Sequence, residues 1–197
     1  MSQQHPGAEP AADLAGVADG FERLWTPHRM AYVAGERPSP DPGTGCPFCA
    51  APDKDDEDGL IVHRGRSCYV VLNLFPYNPG HLLVCPYRHV PLYVDLTEEE
   101  TAEFTALTKA AIAALQASSA PAGYNIGMNQ GAVAGAGVAA HLHQHVVPRW
   151  AGDMNFLPII GRTKALPMLL EDVRRQLREA WPTTPDVADT RPGDPAV

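Results

Sequence analysis

The chain of 197 residues contains no apolar run of the roughly 18 to 20 residues that a helix needs to cross a bilayer, so no membrane partner is expected. It is also short of positive charge: 15 Lys and Arg stand against 23 Asp and Glu, for a formal net charge of −8. A surface built to neutralise a nucleic-acid backbone needs the opposite balance, so no polymeric nucleic-acid partner is expected. A small anionic ligand needs only a local site. The first residues, MSQQHPGAEPAADLAG, lack the basic and apolar regions of a secretory signal, which makes the cytoplasm the expected location. No internal repeat is visible. Cysteine is scarce, and two of the four are spaced as Cys46-Pro47-Phe48-Cys49. That usage resembles a metal site in a reducing compartment more than a disulfide framework.

The length and the 45% hydrophobic content suit one domain with a sizeable core. Residues 1–20 and 182–197 are rich in Ala, Pro, Gly and Asp and poor in large apolar groups, so disordered tails are expected on either side of a domain over 21–181. Strand patterns cover 60–64, 67–74, 81–90, 123–129 and 141–149, and the acidic stretch PDKDDEDG before the first reads as a solvated turn. Thr97 and Glu100 form a capping box that opens a helix over about 97–118, with Phe104, Leu107, Ala111 and Leu115 on one face. A second amphipathic helix is expected over about 164–181. Hairpin-connected strands with one long inserted helix predict an α+β fold with a mostly antiparallel sheet and a C-terminal helix.

Three of the eight histidines fall at a spacing of two, in HLHQHVVPR. Strand side chains alternate faces, so His141, His143 and His145 share one side, with Cα atoms about 6.5 to 7 Å apart. Packing gains nothing from three like rings. Chemistry does: one imidazole can attack a phosphate while its neighbours fix its tautomer or donate to phosphate oxygens. A single metal ion suits three residues of one strand poorly, because their side chains run parallel rather than converging. The CPFC spacing lets both thiolates reach one tetrahedral ion, and His63, His81, His89 and His141 are all candidates for the remaining positions. Cys68 and Cys85 read as core residues.

The segment His141 to Val147, together with Asn73 and His81 in LNLFPYNPGHLLVCP, resembles the histidine triad (HIT) family over about residues 46–150. Gln144 is a polar departure from the apolar residues that usually separate the histidines. The resemblance implies a HIT-like fold in which His143 is the nucleophile that becomes nucleotidylated. His145 would then bind the phosphate or the departing group, and His81 would orient the nucleophile. Asn73 would lie near a ribose, with Val71 and Leu83 facing the base. In the zinc-containing branch the implied ligands are Cys46, Cys49, His89 and His141, a closed structural site with one zinc per chain and no organic cofactor.

The flanks LWTPHRMAYV and HVVPRWAGDMNF resemble the bacterial branch that includes diadenosine tetraphosphate phosphorylases. That implies a nucleotide substrate with inorganic phosphate as second acceptor, giving ADP and ATP. Hydrolysis of dinucleoside polyphosphates or nucleoside phosphoramidates to AMP is the alternative, and a non-catalytic nucleotide-binding protein is the second. Many relatives place a Ser or Gln just before the triad, whereas AGAGVAA supplies no hydroxyl or amide. Backbone amides of Ala136 and Gly137, or the side chain of Asn129, are the substitutes on offer, and Trp150 is a candidate to stack near the substrate. The family's habit of pairing through the sheet edge and long helix implies a homodimer.

Overall fold

The computed structural model describes residues 45–153 and 167–183. Most of each expected tail, Leu166 and the aromatic segment 21–33 lie outside the described residues. A one-turn helix α1 (Pro47–Ala50) leads to strands β1 (Ile61–Arg64), β2 (Cys68–Leu72) and β3 (Leu82–Pro86). Then follow the long helix α2 (Glu98–Ser119), strands β4 (Gly123–Met128) and β5 (Gln144–Arg149), and helix α3 (Leu170–Glu179). The strands form one sheet in the order β1-β2-β3-β5-β4, and every neighbouring pair is antiparallel. The α+β expectation is met.

Alternation sends one set of strand residues toward the helices and the other away from them. Val70, Leu72, Leu82, Val84 and Val146 join Phe104, Leu107 and Leu115 of α2 and Val173 and Leu177 of α3 in the main core. Phe104, Leu107 and Leu115 are at most 1% exposed. Each such side chain contributes about 1.5–3 kcal/mol relative to exposure, so packing rather than helix propensity holds α2 in place. Ile61, Tyr69, Val71, Leu83 and Cys85 form a second apolar layer on the other side, against Phe48 and Tyr87.

The capping box forms as expected: Thr97 accepts from the Glu100 N–H, and the Glu100 carboxylate accepts from the Thr97 N–H. That carboxylate also holds Arg88 at 2.6 Å, which ties the segment carrying His89 to the start of α2. Farther along α2, Glu103 accepts from the backbone N–H groups of Arg66, Ser67 and Cys68 at 2.7, 2.5 and 2.9 Å and so pins the β1–β2 turn. A Cβ at Gly65 would lie 2.6 Å from a Glu103 carboxylate oxygen, which explains a glycine there.

Two strands differ from the sequence expectation. The strand expected over 141–149 begins at Gln144, because the Leu142 N–H donates to the Val90 carbonyl at 2.7 Å instead of entering the sheet ladder. The strand expected over 81–90 ends at Pro86, which has no N–H to donate. The acidic stretch 52–59 is the expected solvated turn, with Asp53, Lys54, Asp55, Glu57 and Asp58 exposed, and it also serves as a docking point for α3. Asp56 holds Arg64 at 2.7 Å and Arg178 of α3 at 2.5 Å, and Glu57 holds Arg174 at 3.1 Å. Hydrogen bonds from the two arginines keep the Asp56 carboxyl below its usual range against the opposing effect of burial.

Candidate active site

Register across the sheet places the key residues. Val71 lies opposite Leu83, and Leu83 lies opposite His145, all on the face turned away from α2. Asn73 follows β2, His81 precedes β3, and the turn between them closes with the Asn73 N–H on the His81 carbonyl at 2.9 Å. Gly80 makes this turn possible: its φ is +80°, and a Cβ would meet Leu115 Cδ2 at 2.9 Å.

The hydrogen bonds set the ring tautomers, because a backbone N–H can only donate and a carbonyl can only accept. His143 Nδ1 is 2.8 Å from the His141 carbonyl. It therefore carries the proton, and Nε2 is left with a free lone pair. The Tyr77 N–H donates to His81 Nδ1 at 3.0 Å, so the His81 proton sits on Nε2. The Asn73 amide nitrogen, 3.2 Å away, donates to the same Nδ1, its own oxygen being taken by the Phe75 N–H at 3.0 Å. His81 Nε2 lies 2.9 Å from His145 Nδ1, which must then accept, and the His145 proton moves to Nε2. The result is a nucleophilic nitrogen on His143 beside a donor nitrogen on His145, with ring centroids 5.1 Å apart.

Burial keeps the His143 and His145 rings neutral. It pulls His143 below its ordinary value, and it takes His145 down to about 4 with help from the field of His143. A neutral His143 keeps its lone pair available at physiological pH.

The first histidine of the triad faces elsewhere. His141 Nε2 donates to the Pro86 carbonyl at 2.9 Å, which leaves Nδ1 bare and directed at the cysteines. It lies 3.3 Å from Cys46 Sγ and 3.5 Å from Cys49 Sγ, while His89 Nδ1 lies 3.2 Å from Cys49 Sγ. All four ligand atoms fall within 4.8 Å of one another. A tetrahedral ion with bonds of about 2.0–2.3 Å separates N and S ligands by about 3.5 Å, so the cluster has the dimensions to hold a metal ion. The donor set is complete at four, with no position reserved for substrate. Burial and the neighbouring Cys46 push the metal-free Cys49 thiol up to about 11, a cost that a bound cation would reverse. His63, another sequence candidate, instead stacks on Trp181 at 4.7 Å, and His81 is hydrogen-bonded to His145.

Residues 54–152 match the HIT domain family. The AP-4-A phosphorylase of Mycobacterium tuberculosis (strain CDC 1551 / Oshkosh) is 49% identical over 174 residues, covering 86% of this chain and 89% of that protein. The chain belongs to the HIT domain family. The asymmetrical bis(5'-nucleosyl)-tetraphosphatase of Schizosaccharomyces pombe is 38% identical over 96 residues, 48% of this chain and 52% of that protein. Among solved structures, a Zn-bound histidine triad family protein from Mycobacterium smegmatis superposes with a TM-score of 0.56 at 27% identity, over 70% of this chain and 93% of that one.

Within this HIT domain the remaining sequence candidates are distributed unevenly. Val71 and Leu83 are 6% and 3% exposed and form an apolar floor beside His145. Asn129, Ala136 and Gly137 lie in the loop that enters the triad, where Gly131 and Gly135 both have φ near +85°. The Ala136 N–H turns inward, toward the Gly131 carbonyl at 3.5 Å. Trp150 is not brought together with the histidines: its Nε1 donates to the Ser119 carbonyl at 3.3 Å, and its ring lines a cavity with Leu115, Met168 and Leu177 on the helix side.

Two residues escaped the sequence reading. Phe48, between the two cysteines, lies 4.7 Å from the His143 ring, and Tyr77 stacks on His145 at 5.7 Å and 15°. An aromatic residue inside each motif was the available signal.

Proposed function

We propose that the protein splits diadenosine tetraphosphate with inorganic phosphate to give ADP and ATP. The observation that carries the reading is the pair of tautomers, a bare Nε2 on His143 next to a protonated Nε2 on His145. The AP-4-A phosphorylase at 49% identity supports the choice of substrate and of phosphate as acceptor. In the first step His143 Nε2 attacks an α-phosphorus. A P–N bond forms, the P–O bond to the leaving ATP breaks, and the His145 Nε2–H stabilises oxygen charge as it develops. A phosphate oxygen then attacks the same phosphorus, the P–N bond breaks, ADP departs and His143 returns to its neutral form. Val71 and Leu83 provide the apolar surface for the base, and Asn73 serves the ribose.

Cys46, Cys49, His89 and His141 would hold zinc, which supplies a structural crosslink between α1 and the entry to β5. Among the described residues β4 is an edge strand with Ile126 47% exposed, which suits pairing with a second copy of the chain.

The test is to mix the protein with diadenosine tetraphosphate, with and without phosphate, and to separate the products. ADP and ATP formed only with phosphate support this reading. AMP formed without phosphate points to hydrolysis, the reaction named for the fission-yeast relative. Binding without turnover would overturn the catalytic reading in favour of a nucleotide-binding protein. His143→Ala should abolish turnover and leave the melting temperature close to wild type, and activity near wild type would overturn the nucleophile assignment.

A further inference from the structure

The relay from Tyr77 through His81 to His145 crosses a gap between two chain segments, and one side chain braces that gap. Asn78 is half-buried in the turn that precedes His81. Its backbone carbonyl accepts the His81 N–H at 3.1 Å. Its side-chain amide donates to the Pro148 carbonyl at 2.9 Å, near the end of the strand that carries His145, and to Asp153 Oδ2 at 2.7 Å, in the turn just beyond that strand. Both amide hydrogens are thereby used in holding the turn to β5.

The acceptor at residue 153 is itself fixed. Arg149 holds both Asp153 oxygens, at 2.6 and 2.9 Å, and the Trp150 N–H donates to Oδ2 at 3.1 Å. Arg149 NH1 reaches Asn125 on β4 at 2.7 Å, so the brace is anchored in the edge strand. Arg149 keeps the Asp153 carboxyl well below the usual carboxylate range, which leaves it ionised and able only to accept.

We propose that Asn78 is a positioning residue that holds the Tyr77 N–H on His81 Nδ1 and thereby keeps the His145 proton on Nε2. Tyr77 directly precedes Asn78, so a turn that slips at Asn78 moves the shorter of the two donors, the Tyr77 N–H and the Asn73 amide, that together dictate the His81 tautomer. If His81 took its proton on Nδ1, its Nε2 would become an acceptor. His145 would then have to donate from Nδ1, and a lone pair would replace the donor at Nε2. The phosphate-side donor is lost with no side chain removed from the triad. The idea rests on the proposed role of His145 in turnover, but its central claim concerns the resting protein and can be read without substrate.

The test uses full-length protein with 15N-labelled histidine and long-range nitrogen–proton correlation spectra, which report the ring nitrogen that carries each proton. Wild type should show His81 and His145 each with the proton on Nε2. Asn78→Ala and Asn78→Asp should each lose that single pattern. With diadenosine tetraphosphate and phosphate, kcat should fall about tenfold or more, toward the roughly 100-fold loss typical of removing one such donor, with a smaller change in KM. The aspartate variant matches asparagine in size but cannot donate, so it should be at least as impaired as alanine. An unchanged tautomer pattern in both variants, or a kcat within twofold of wild type, overturns the proposal. Should both variants fail to fold, Asp153→Ala removes the acceptor from the surface side and must shift the same histidine signals, or the proposal fails. An inactive wild type with the expected tautomers and their expected response would instead count against the proposed reaction alone.

Discussion

Replacing His145 with glutamine isolates the energetic consequence of burying a neutral imidazole. The glutamine oxygen can still accept from His81 Nε2, so the chief loss is the titrating ring. In the folded protein, burial first and the field of His143 second hold His145 down to about 4. In the unfolded chain it titrates near 6.5. A difference of about 2.5 pH units corresponds to about 3.4 kcal/mol, and partial solvent access to the ring reduces the expected value to about 1.5–2 kcal/mol. The folded pKa is the depressed one. As pH falls below about 6.5 the unfolded chain takes up the proton first, so this contribution is complete above 6.5, declines toward pH 4 and is level below that. Urea unfolding of wild type and His145→Gln from pH 4.5 to 8 should give a difference curve that falls by this amount across the window. Acid loss of metal and the titration of other groups affect both proteins and cancel. A difference curve flat to within about 0.3 kcal/mol would show that His145 titrates normally in the fold, and the neutral relay would be refuted.

Three further perturbations address the scaffold. Glu103→Ala should cost about 2–3 kcal/mol in chemical denaturation, since three backbone donors of the β1–β2 turn lose one charged acceptor. Gly80→Ala should cost about 2–3 kcal/mol, from about 1 kcal/mol for a left-handed backbone and the rest for displacing buried Leu115, and should lower kcat by moving the turn that presents His81. Cys46→Ser should reduce bound zinc well below one per chain by elemental analysis and lower the melting temperature, whereas an unchanged zinc content would remove Cys46 from the ligand set.

What the sequence disclosed and what it hid divide along physical lines. Period-two alternation is a backbone property, so the shared face of His143 and His145 could be read directly. The same alternation sends residue 150 to the side of Gln144 and Val146, and Trp150 does lie there, against Ser119. The tautomers were hidden because, the Asn73 amide apart, the groups that set them are the backbone of Tyr77, His141 and Pro86, whose positions no side-chain identity encodes. The acidic loop is the solvated turn that its composition suggests, but its docking of α3 was hidden because its partners Arg174 and Arg178 lie far along the chain on a helix of otherwise surface-like composition. Thr97 and Glu100 were legible because a capping box is local.

His141 joins the two halves of the site. Its Nδ1 faces the cysteines, its Nε2 donates to Pro86, and its carbonyl takes the proton that leaves His143 Nε2 bare. That carbonyl is free for His143 because the chain at 141–143 lies outside the sheet ladder, the Leu142 N–H being committed to Val90. A fully regular strand from 141 to 149 would have kept the alternation but drawn these backbone groups toward ladder partners. The departure from regular structure is therefore what allows one residue to face the cysteine pair with its ring and to set the His143 tautomer with its backbone. Phe48 strengthens the link from the other side, since the turn that presents both cysteines also lays an aromatic ring 4.7 Å from His143. An ion bound at this cluster would fix the His143 ring without contacting it.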